Sequence, residues 1–154
     1  MQKITPHLWF DKEAKEAAEF YASLLPDSQV TNIITLHDTP SGDCDLVSFV
    51  LANQPFMAIS AGPLDPFNHA VSFIIECDSQ AEIDRLWTKL SEGGRTEQCG
   101  WLQDRYGLYW QITPTVLGKM MKDPDRARAK HVTEAMLKMT KLDIKALQAA
   151  ASGR

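Results

Sequence analysis

The predicted secondary structure repeats along the chain, and this repeat constrains the fold more than any other feature. A strand, a helix and three strands are predicted first, and the same order then occurs again. In the two predicted helices Tyr21 aligns with Trp87, and Leu24 aligns with Leu90 at the same offset. Neither half is long enough to bury a helix and a sheet well alone, so two modules that share a core are predicted. A chance recurrence of short strands is the alternative.

Both helices of the repeat have recognisable starts. Asp11 is predicted to cap an amphipathic helix that ends before Pro26. Ser79 and Glu82 match the capping box, in which a hydroxyl and a carboxylate bond the backbone amides at the start of a helix. These signals predict where each module changes from strand to helix.

The segment after Pro114 differs from the repeat and is predicted to form two helices. Asp123 and Asp143 stand at predicted cap positions, and an apolar stripe consists of Val132, Met136 and Met139. Methionines at this spacing are predicted to pack on their own subunit or on a partner rather than to bind a ligand. The predicted fold class is α+β, with paired βαβββ modules in one domain of residues 1–154, divided into module one, 1–62, module two, 69–114, and a C-terminal helical extension, 115–154.

The stretch Gly100 to Pro114 predicts a hairpin whose second strand has a packed face and a polar face. Because successive side chains in a strand point to opposite sides, Trp110 and Ile112 share the packed face. Tyr109 and Gln111 share the other. An amide buried without partners costs roughly 1 to 3 kcal/mol, so Gln111 is predicted to face a ligand or water. The alternative is a structural amide that is hydrogen-bonded to neighbouring strands.

Composition excludes several classes of function. The chain has 16 Lys+Arg against 20 Asp+Glu and a net charge of −4, which argues against a nucleic-acid partner. No apolar run has the length of a membrane span, so no membrane partner is predicted. The three cysteines have no disulfide or zinc spacing, and a cytoplasmic location is predicted.

Four stretches together resemble a known superfamily. They are ITPHLWF-D at the start, SAG at Ser60 to Gly62, GW-x-x-D-x-YG-x-x-WQI-x-P at Gly100 to Pro114, and AMLKMTKLDIKAL at Ala135 to Leu147. The resemblance is to the vicinal oxygen chelate superfamily, which includes glyoxalase I, the bleomycin resistance proteins and extradiol dioxygenases. Within it, the chain resembles the PhnB-like, or 3-demethylubiquinone-9 3-methyltransferase-like, branch. The resemblance implies a glyoxalase/bleomycin resistance-like fold with a cleft between module sheets, and commonly a homodimer.

In members that use a metal, four ligands come from the first and last strands of each module. The resemblance lays those places at or beside Thr5 to His7, at Ser60, at or near Ser72, and at Gln111. Only His7 is a good ligand, because hydroxyl and amide groups do not supply the anionic field that a divalent ion needs. A pair formed by His7 and His69 is the remaining metal proposal, and two hydrogen-bonded or solvated histidines are the alternative.

The sequence therefore predicts a protein that binds or sequesters a small-molecule ligand and uses no metal and no cofactor. The residues predicted to line its cleft are His7, Trp9, Ser60, Ser72, Tyr109 and Gln111. Trp9 is either a stacking platform for a flat ligand or a filler of the sheet interior. The alternatives are a glyoxalase-like metal-dependent lyase, isomerase or dioxygenase, and a 3-demethylubiquinone-9 3-methyltransferase-like enzyme.

Two further expectations concern the methyltransferase alternative and assembly. The strand-to-helix turns Phe10 to Lys12 and Glu76 to Ser79 contain no glycine, so neither is predicted to cradle S-adenosylmethionine. Open sheet edges and the Met-rich tail predict a homodimer, because a second copy would cover both.

Overall fold

The computed structural model describes residues 2–153, which form an α+β structure with two four-stranded sheets. The chain divides into two compact units, Met1–Pro66 and Phe67–Arg154. The order strand, helix, three strands occurs once in each unit, as predicted. Among the described residues, no helix is long and apolar enough to cross a membrane.

The first unit contains one helix and four strands, which are, in chain order, β1 (His7–Phe10), α1 (Ala14–Ala22), β2 (Gln29–Thr39), β3 (Gly42–Leu51) and β4 (Gln54–Ser60). The strands lie in the order β1-β4-β3-β2. β1 runs parallel to β4, whereas the other neighbours are antiparallel. A tight turn at Pro40 and Ser41 joins β2 and β3.

The parallel register of β1 and β4 determines which side chains share a face of the first sheet. Leu8 pairs with Ala58, and both are buried on the face that carries the core. His7 and Trp9 point to the other face, because side chains alternate along a strand. α1 contributes four residues to the core, Ala14, Ala17, Ala18 and Tyr21.

The predicted cap of the first helix is wrong. Glu13, not Asp11, stands at the N-cap position, and its side chain makes no capping hydrogen bond. The backbone amide of Ala14 instead donates to Ser60 Oγ at 3.0 Å. The cap comes from a residue far away in sequence, which a local pattern cannot reveal.

The second unit contains four strands and four helices, which are, in chain order, β5 (Ser72–Cys77), α2 (Gln80–Ser91), β6 (Arg95–Thr96), β7 (Trp101–Gln103), β8 (Tyr109–Pro114), α3 (Thr115–Met121), α4 (Arg126–Leu137) and α5 (Ile144–Ala151). The strand order β5-β8-β7-β6 matches that of the first sheet. β6 consists of two residues.

The core of the second unit lies between α2 and one face of its sheet. Trp110 and Ile112 are buried, as predicted for the packed face of the hairpin, and Leu102 is buried with them. Ser79 Oγ accepts the amide of Glu82, which confirms the predicted N-cap. The Glu82 carboxylate bonds the amide of Asp78, one residue earlier than in a capping box.

A buried carboxylate organises the turn between β7 and β8. Asp104 is 2% exposed, and its Oδ1 accepts hydrogen bonds from the backbone amides of Tyr106 and Leu108. Its Oδ2 accepts a hydrogen bond from the indole Nε1 of Trp110 at 2.8 Å. One side chain thus fixes the turn and anchors a core tryptophan, because a buried charge requires partners.

The tail forms three helices rather than the predicted two, since α3 follows β8 directly. Asp125, not Asp123, caps α4, whereas Asp143 caps α5 as predicted. The tail has its own apolar cluster, in which Met136 and Met139 pack against four buried residues, Leu117, Val132, Leu142 and Leu147. The methionine stripe therefore packs within its own chain.

The tail is hydrogen-bonded to the rest of the second unit. The Gln80 side chain donates to the carbonyl of Leu142 and accepts the amide of Ile144. The amides of Cys99 and Gly100 donate to two carbonyls in the turn before α5. These bonds make the tail part of the second unit.

A glycine pair provides the first test of this packing. In Gly94→Ala the new Cβ would overlap the backbone at Gln103 and Asp104, so we expect a loss of about 1 to 3 kcal/mol or more in the free energy of unfolding. In Gly118→Ala no atom lies within 4 Å, so the matched control should stabilise α3 by up to about 1 kcal/mol. Urea unfolding measures both, and equal stabilities would contradict the close approach at Gly94.

Candidate functional site

A row of three side chains crosses the face of the second sheet that lies opposite the buried Trp110 and Ile112. Gln111 on β8 pairs with Ile74 on β5 on one side and with Trp101 on β7 on the other. Registered neighbours point to the same face of a sheet, so the three side chains are adjacent. We call the face that carries these residues, with Ser72 and Tyr109, the open face.

The open face is accessible in its middle and polar beside it. Ile74 is 57% exposed, which is unusual for an isoleucine at the centre of a sheet strand. Gln111 Nε2 donates to Ser72 Oγ at 2.9 Å. That bond uses one amide donor and leaves the oxygen Oε1 as an acceptor.

A charged network borders the open face at Tyr109, which is buried. The Arg95 Nη2 group donates to the Tyr109 hydroxyl at 2.8 Å, and Arg95 Nε donates to Glu97 at 3.1 Å. His69 Nε2 donates to the other Glu97 oxygen at 2.8 Å. The His69 ring lies 3.9 Å from the Tyr109 ring, centroid to centroid, and so covers the tyrosine.

The network acts on the ionisation of Glu97. Partial burial opposes the charge of this carboxylate, but the hydrogen bonds and positive charges of His69 and Arg95 outweigh burial and lower the pKa of Glu97. A carboxylate with a lowered pKa stays charged at neutral pH. The side chains of His69 and Arg95 are therefore held in place beside Tyr109.

The predicted site residues fall in both units. Ser72, Tyr109 and Gln111 are together on the open face of the second unit. His7 is exposed on the first sheet, and Trp9 on the same face donates its indole N–H to the carbonyl of Gly62 at 2.8 Å.

Ser60 does not share the face of His7 and Trp9. It pairs with Phe10, which is buried on the core face, and its hydroxyl accepts the first amide of α1. The predicted place of Ser60 among ligand-lining residues is thus corrected. It caps a helix.

Sequence reasoning missed Ile74 and Trp101. The predicted hairpin turn could have identified Trp101. In a hairpin centred on Tyr106, residues at equal distances from the turn pair with each other, so Trp101 is opposite Gln111. No local signal marked Ile74, since an isoleucine in a strand is typical of a buried core position. The parallel pairing of β5 with β8 decides its place.

The residues present do not fit the four-ligand metal set of the superfamily. Within residues 2–153 no group of three or more His, Cys, Asp or Glu side chains could hold a metal ion. Ser72 and Gln111 are neutral and bond each other, and His69 bonds Glu97. These donors do not supply the charge that a divalent cation requires.

The strand-to-helix turns also do not fit a nucleotide-like cofactor. Ser60 caps α1, and Ser79 caps α2, so side chains of the protein occupy the helix N-termini.

Burial, with nearby Glu82 and Asp78, raises the pKa of Cys77 to about 12. A thiol with this pKa is not a nucleophile at neutral pH.

A groove of about 770 Å³ lies at the end of β5, beside α3 and the loop that follows it. Its lining includes Glu76, Lys119 and Lys122, all of which are exposed. None of the predicted site residues lines it. We assign no ligand to this groove, because flexible surface lysines do not form a fixed binding geometry.

Solved structures share this fold. A PhnB protein from Bacillus cereus, provisionally designated a 3-demethylubiquinone-9 3-methyltransferase, is 31% identical, with 74% of this chain and 100% of that chain aligned and a TM-score of 0.66. The protein PA1353 from Pseudomonas aeruginosa is 24% identical over 74% and 98% of the two chains, with a TM-score of 0.62. The fosfomycin resistance protein FosX from Listeria monocytogenes is 12% identical over 79% and 100%, with a TM-score of 0.56, in a structure containing Mn(II) and sulfate.

The duplicated module and these neighbours define a glyoxalase/bleomycin resistance-like fold of the vicinal oxygen chelate superfamily. The model of the family described as 3-demethylubiquinone-9 3-methyltransferase matches residues 2–113. The chain belongs to this family. No curated protein matches it.

The lowered pKa of Glu97 gives a pH-dependent prediction. A glutamate whose folded-state pKa is depressed contributes stability above its unfolded-state pKa of about 4.3, and this contribution is lost as the pH falls through the folded-state value. We therefore expect Glu97→Gln to destabilise the protein at neutral pH, and the difference from wild type to shrink in acid. Urea unfolding at a series of pH values measures this.

The control for this experiment removes one donor of the network. In an Arg95→Met background, Glu97→Gln should have a smaller effect at neutral pH, because one hydrogen bond that lowers the pKa is already gone. An equal pH dependence in both backgrounds would show that Arg95 does not act on Glu97.

Proposed function

We propose that this protein binds a small organic molecule on the open face of its second unit and does so without a metal ion. The observation that carries the proposal is Gln111, whose amide stands beside Ser72 in the middle of a face that also exposes Ile74. A polar group surrounded by accessible apolar surface is typical of ligand sites, in which few polar groups fix the orientation of a largely apolar contact.

The polar groups of the face support binding rather than metal chemistry. Gln111 and Ser72 are uncharged, and the charges of Arg95 and Glu97 compensate each other. Tyr109 is 4% exposed and acts mainly as a support beneath His69. Such a face recognises a ligand by shape and by hydrogen bonds.

In the first unit, considered by itself, two residues are also proposed to bind a ligand. His7 is exposed, and Trp9 is 36% exposed on the same face of the first sheet. The hydrogen bond from Trp9 to the carbonyl of Gly62 fixes the orientation of the indole, which suits an aromatic contact with a flat molecule. Ser60 is not retained in the proposed set.

An enzyme of the glyoxalase type is the second candidate, either as a metal-dependent lyase, isomerase or dioxygenase. The similarity to FosX, which has been crystallised with Mn(II), favours it. Elemental analysis of the purified protein separates the two candidates, since stoichiometric metal that is lost in His7→Ala would support the enzyme.

The family description also names a methyltransferase, for which transfer of a labelled methyl group is the direct assay.

We also propose a cytoplasmic location. Cys44 and Cys77 are buried and free, and Cys99 is partly buried and free. Free thiols in a chain of this size suit a reducing compartment. In a reducing compartment, oxidation of the partly buried Cys99 thiol would be limited.

The ligand proposal predicts the behaviour of Gln111→Leu. The substitution removes one hydrogen bond to Ser72, so the free energy of unfolding should fall by no more than about 1 kcal/mol. A small molecule that remains bound to the wild-type protein through purification should be lost from the variant. Native mass spectrometry measures the bound mass, and urea unfolding measures the stability.

Gln148→Leu is the matched control, because it makes the same chemical change on an exposed position of α5. It should retain the ligand. Retention of the same bound mass by Gln111→Leu would contradict the proposed site, and so would a preparation of wild-type protein in which no ligand is detected.

The first unit supports a proposed homodimer. β2 lies at the edge of its sheet, so one of its edges has no strand partner among residues 2–153. Ile33 and Ile34 are 39% and 47% exposed, although adjacent residues of a strand point to opposite faces. A strand that is apolar and exposed on both faces is best covered by another copy of the chain.

We therefore expect a dimer in light scattering and expect Ile34→Lys to weaken it, since a charge would be buried in the interface. Leu64→Lys adds the same charge in place of a leucine that is 63% exposed in a loop, and it should leave the dimer intact. A wild-type monomer at micromolar concentration would exclude this assembly.

A further inference from the structure

We infer that the ligand of the open face is a neutral, planar molecule that offers a hydrogen-bond donor and an acceptor along one edge, as an aromatic carboxamide does. The inference rests on the proposed function and adds the chemical class of the ligand. It is carried by the row Ile74, Gln111, Trp101, in which the central residue is registered with both neighbours.

The hydrogen-bonding groups of the row require a donor and an acceptor. Gln111 Nε2 is engaged with Ser72, so the amide offers its oxygen to a ligand donor. Within the described residues, the indole N–H of Trp101 makes no hydrogen bond to protein and is not buried. The row thus presents one acceptor and one donor on adjacent strands, which are about 4.8 Å apart.

The shape of the row favours a flat molecule. Three neighbouring strands place Ile74 and Trp101 on either side of Gln111, about 10 Å apart. An aliphatic and an indole side chain on one face form a shallow apolar platform, to which a planar ring presents more contact area than a puckered ring does. His69 extends the aromatic part, with its ring centroid 6.0 Å from that of Trp101.

The charges near the row disfavour an anion. Glu76 lies on the same face two residues beyond Ile74 and makes no ion pair within residues 2–153. Arg95 is the nearest cation of the network, but Glu97 and Tyr109 already accept its hydrogen bonds. A carboxylate ligand beside Gln111 would meet the amide oxygen and lie near the Glu76 charge, and the Arg95 guanidinium beside the row is already paired with Glu97.

Three small probes test each part of this class. Benzamide is planar and neutral, cyclohexanecarboxamide keeps the amide but not the planar ring, and benzoate keeps the ring but carries a charge. Nuclear magnetic resonance titrations follow the indole N–H of Trp101 and the methyl groups of Ile74. The indole of Trp110 is an internal control, because it is buried and bonded to Asp104.

We expect benzamide to shift the Trp101 and Ile74 signals and to leave the Trp110 signal unchanged. Its dissociation constant should be about two- to tenfold lower than those of the other two probes. Gln111→Leu should weaken benzamide binding by about fivefold. Trp101→Phe keeps an aromatic ring but loses the indole N–H, and it should bind benzamide more tightly than Trp101→Leu does. In both variants the methyl signals of Ile74 report the binding.

Other outcomes overturn the inference. Benzoate or cyclohexanecarboxamide binding as tightly as benzamide would exclude a neutral, planar class, and so would unchanged benzamide binding in Gln111→Leu. No shift with any probe would also exclude it. If native mass spectrometry nevertheless finds a bound molecule that Gln111→Leu loses, the proposed function stands and only this ligand class fails. If no bound molecule is found either, both fail.

Discussion

The constraint on which the structure depends is the parallel pairing of the first and last strands of each βαβββ module. A parallel pair needs a crossover connection, and in each unit a helix after the first strand lies against one face of the sheet. The other face is left without a helix of its own module. In the second unit this geometry puts Gln111 and Ser72 on the side opposite the buried Trp110.

The buried Asp104 gives the second unit its specific register. Its carboxylate holds the turn between β7 and β8 and the indole of Trp110 at the same time. With the turn fixed, Trp101 is opposite Gln111 rather than one residue away. A slip of β7 by one residue against β8 would move Trp101 to the opposite face from Gln111. The site on the open face therefore depends on a hydrogen-bonded group in the core.

Local signals predicted those parts of the fold that local interactions decide. The alternation in β8 correctly assigned Trp110 and Ile112 to the core, and the caps at Ser79 and Asp143 were confirmed because each bonds an amide three residues away. The cap of α1 was missed because its partner Ser60 is distant in the chain.

The sequence by itself determined the duplicated order of elements, the apolar faces of the helices and the family, because periodicity and short motifs reflect contacts between near neighbours. Only the tertiary structure decided the composition of the candidate site. Strand pairing removed Ser60 from it and brought Ile74 and Trp101 to either side of Gln111. The physical reason is that strand register depends on hydrogen bonds between residues far apart in sequence, and register alone determines which side chains share a face.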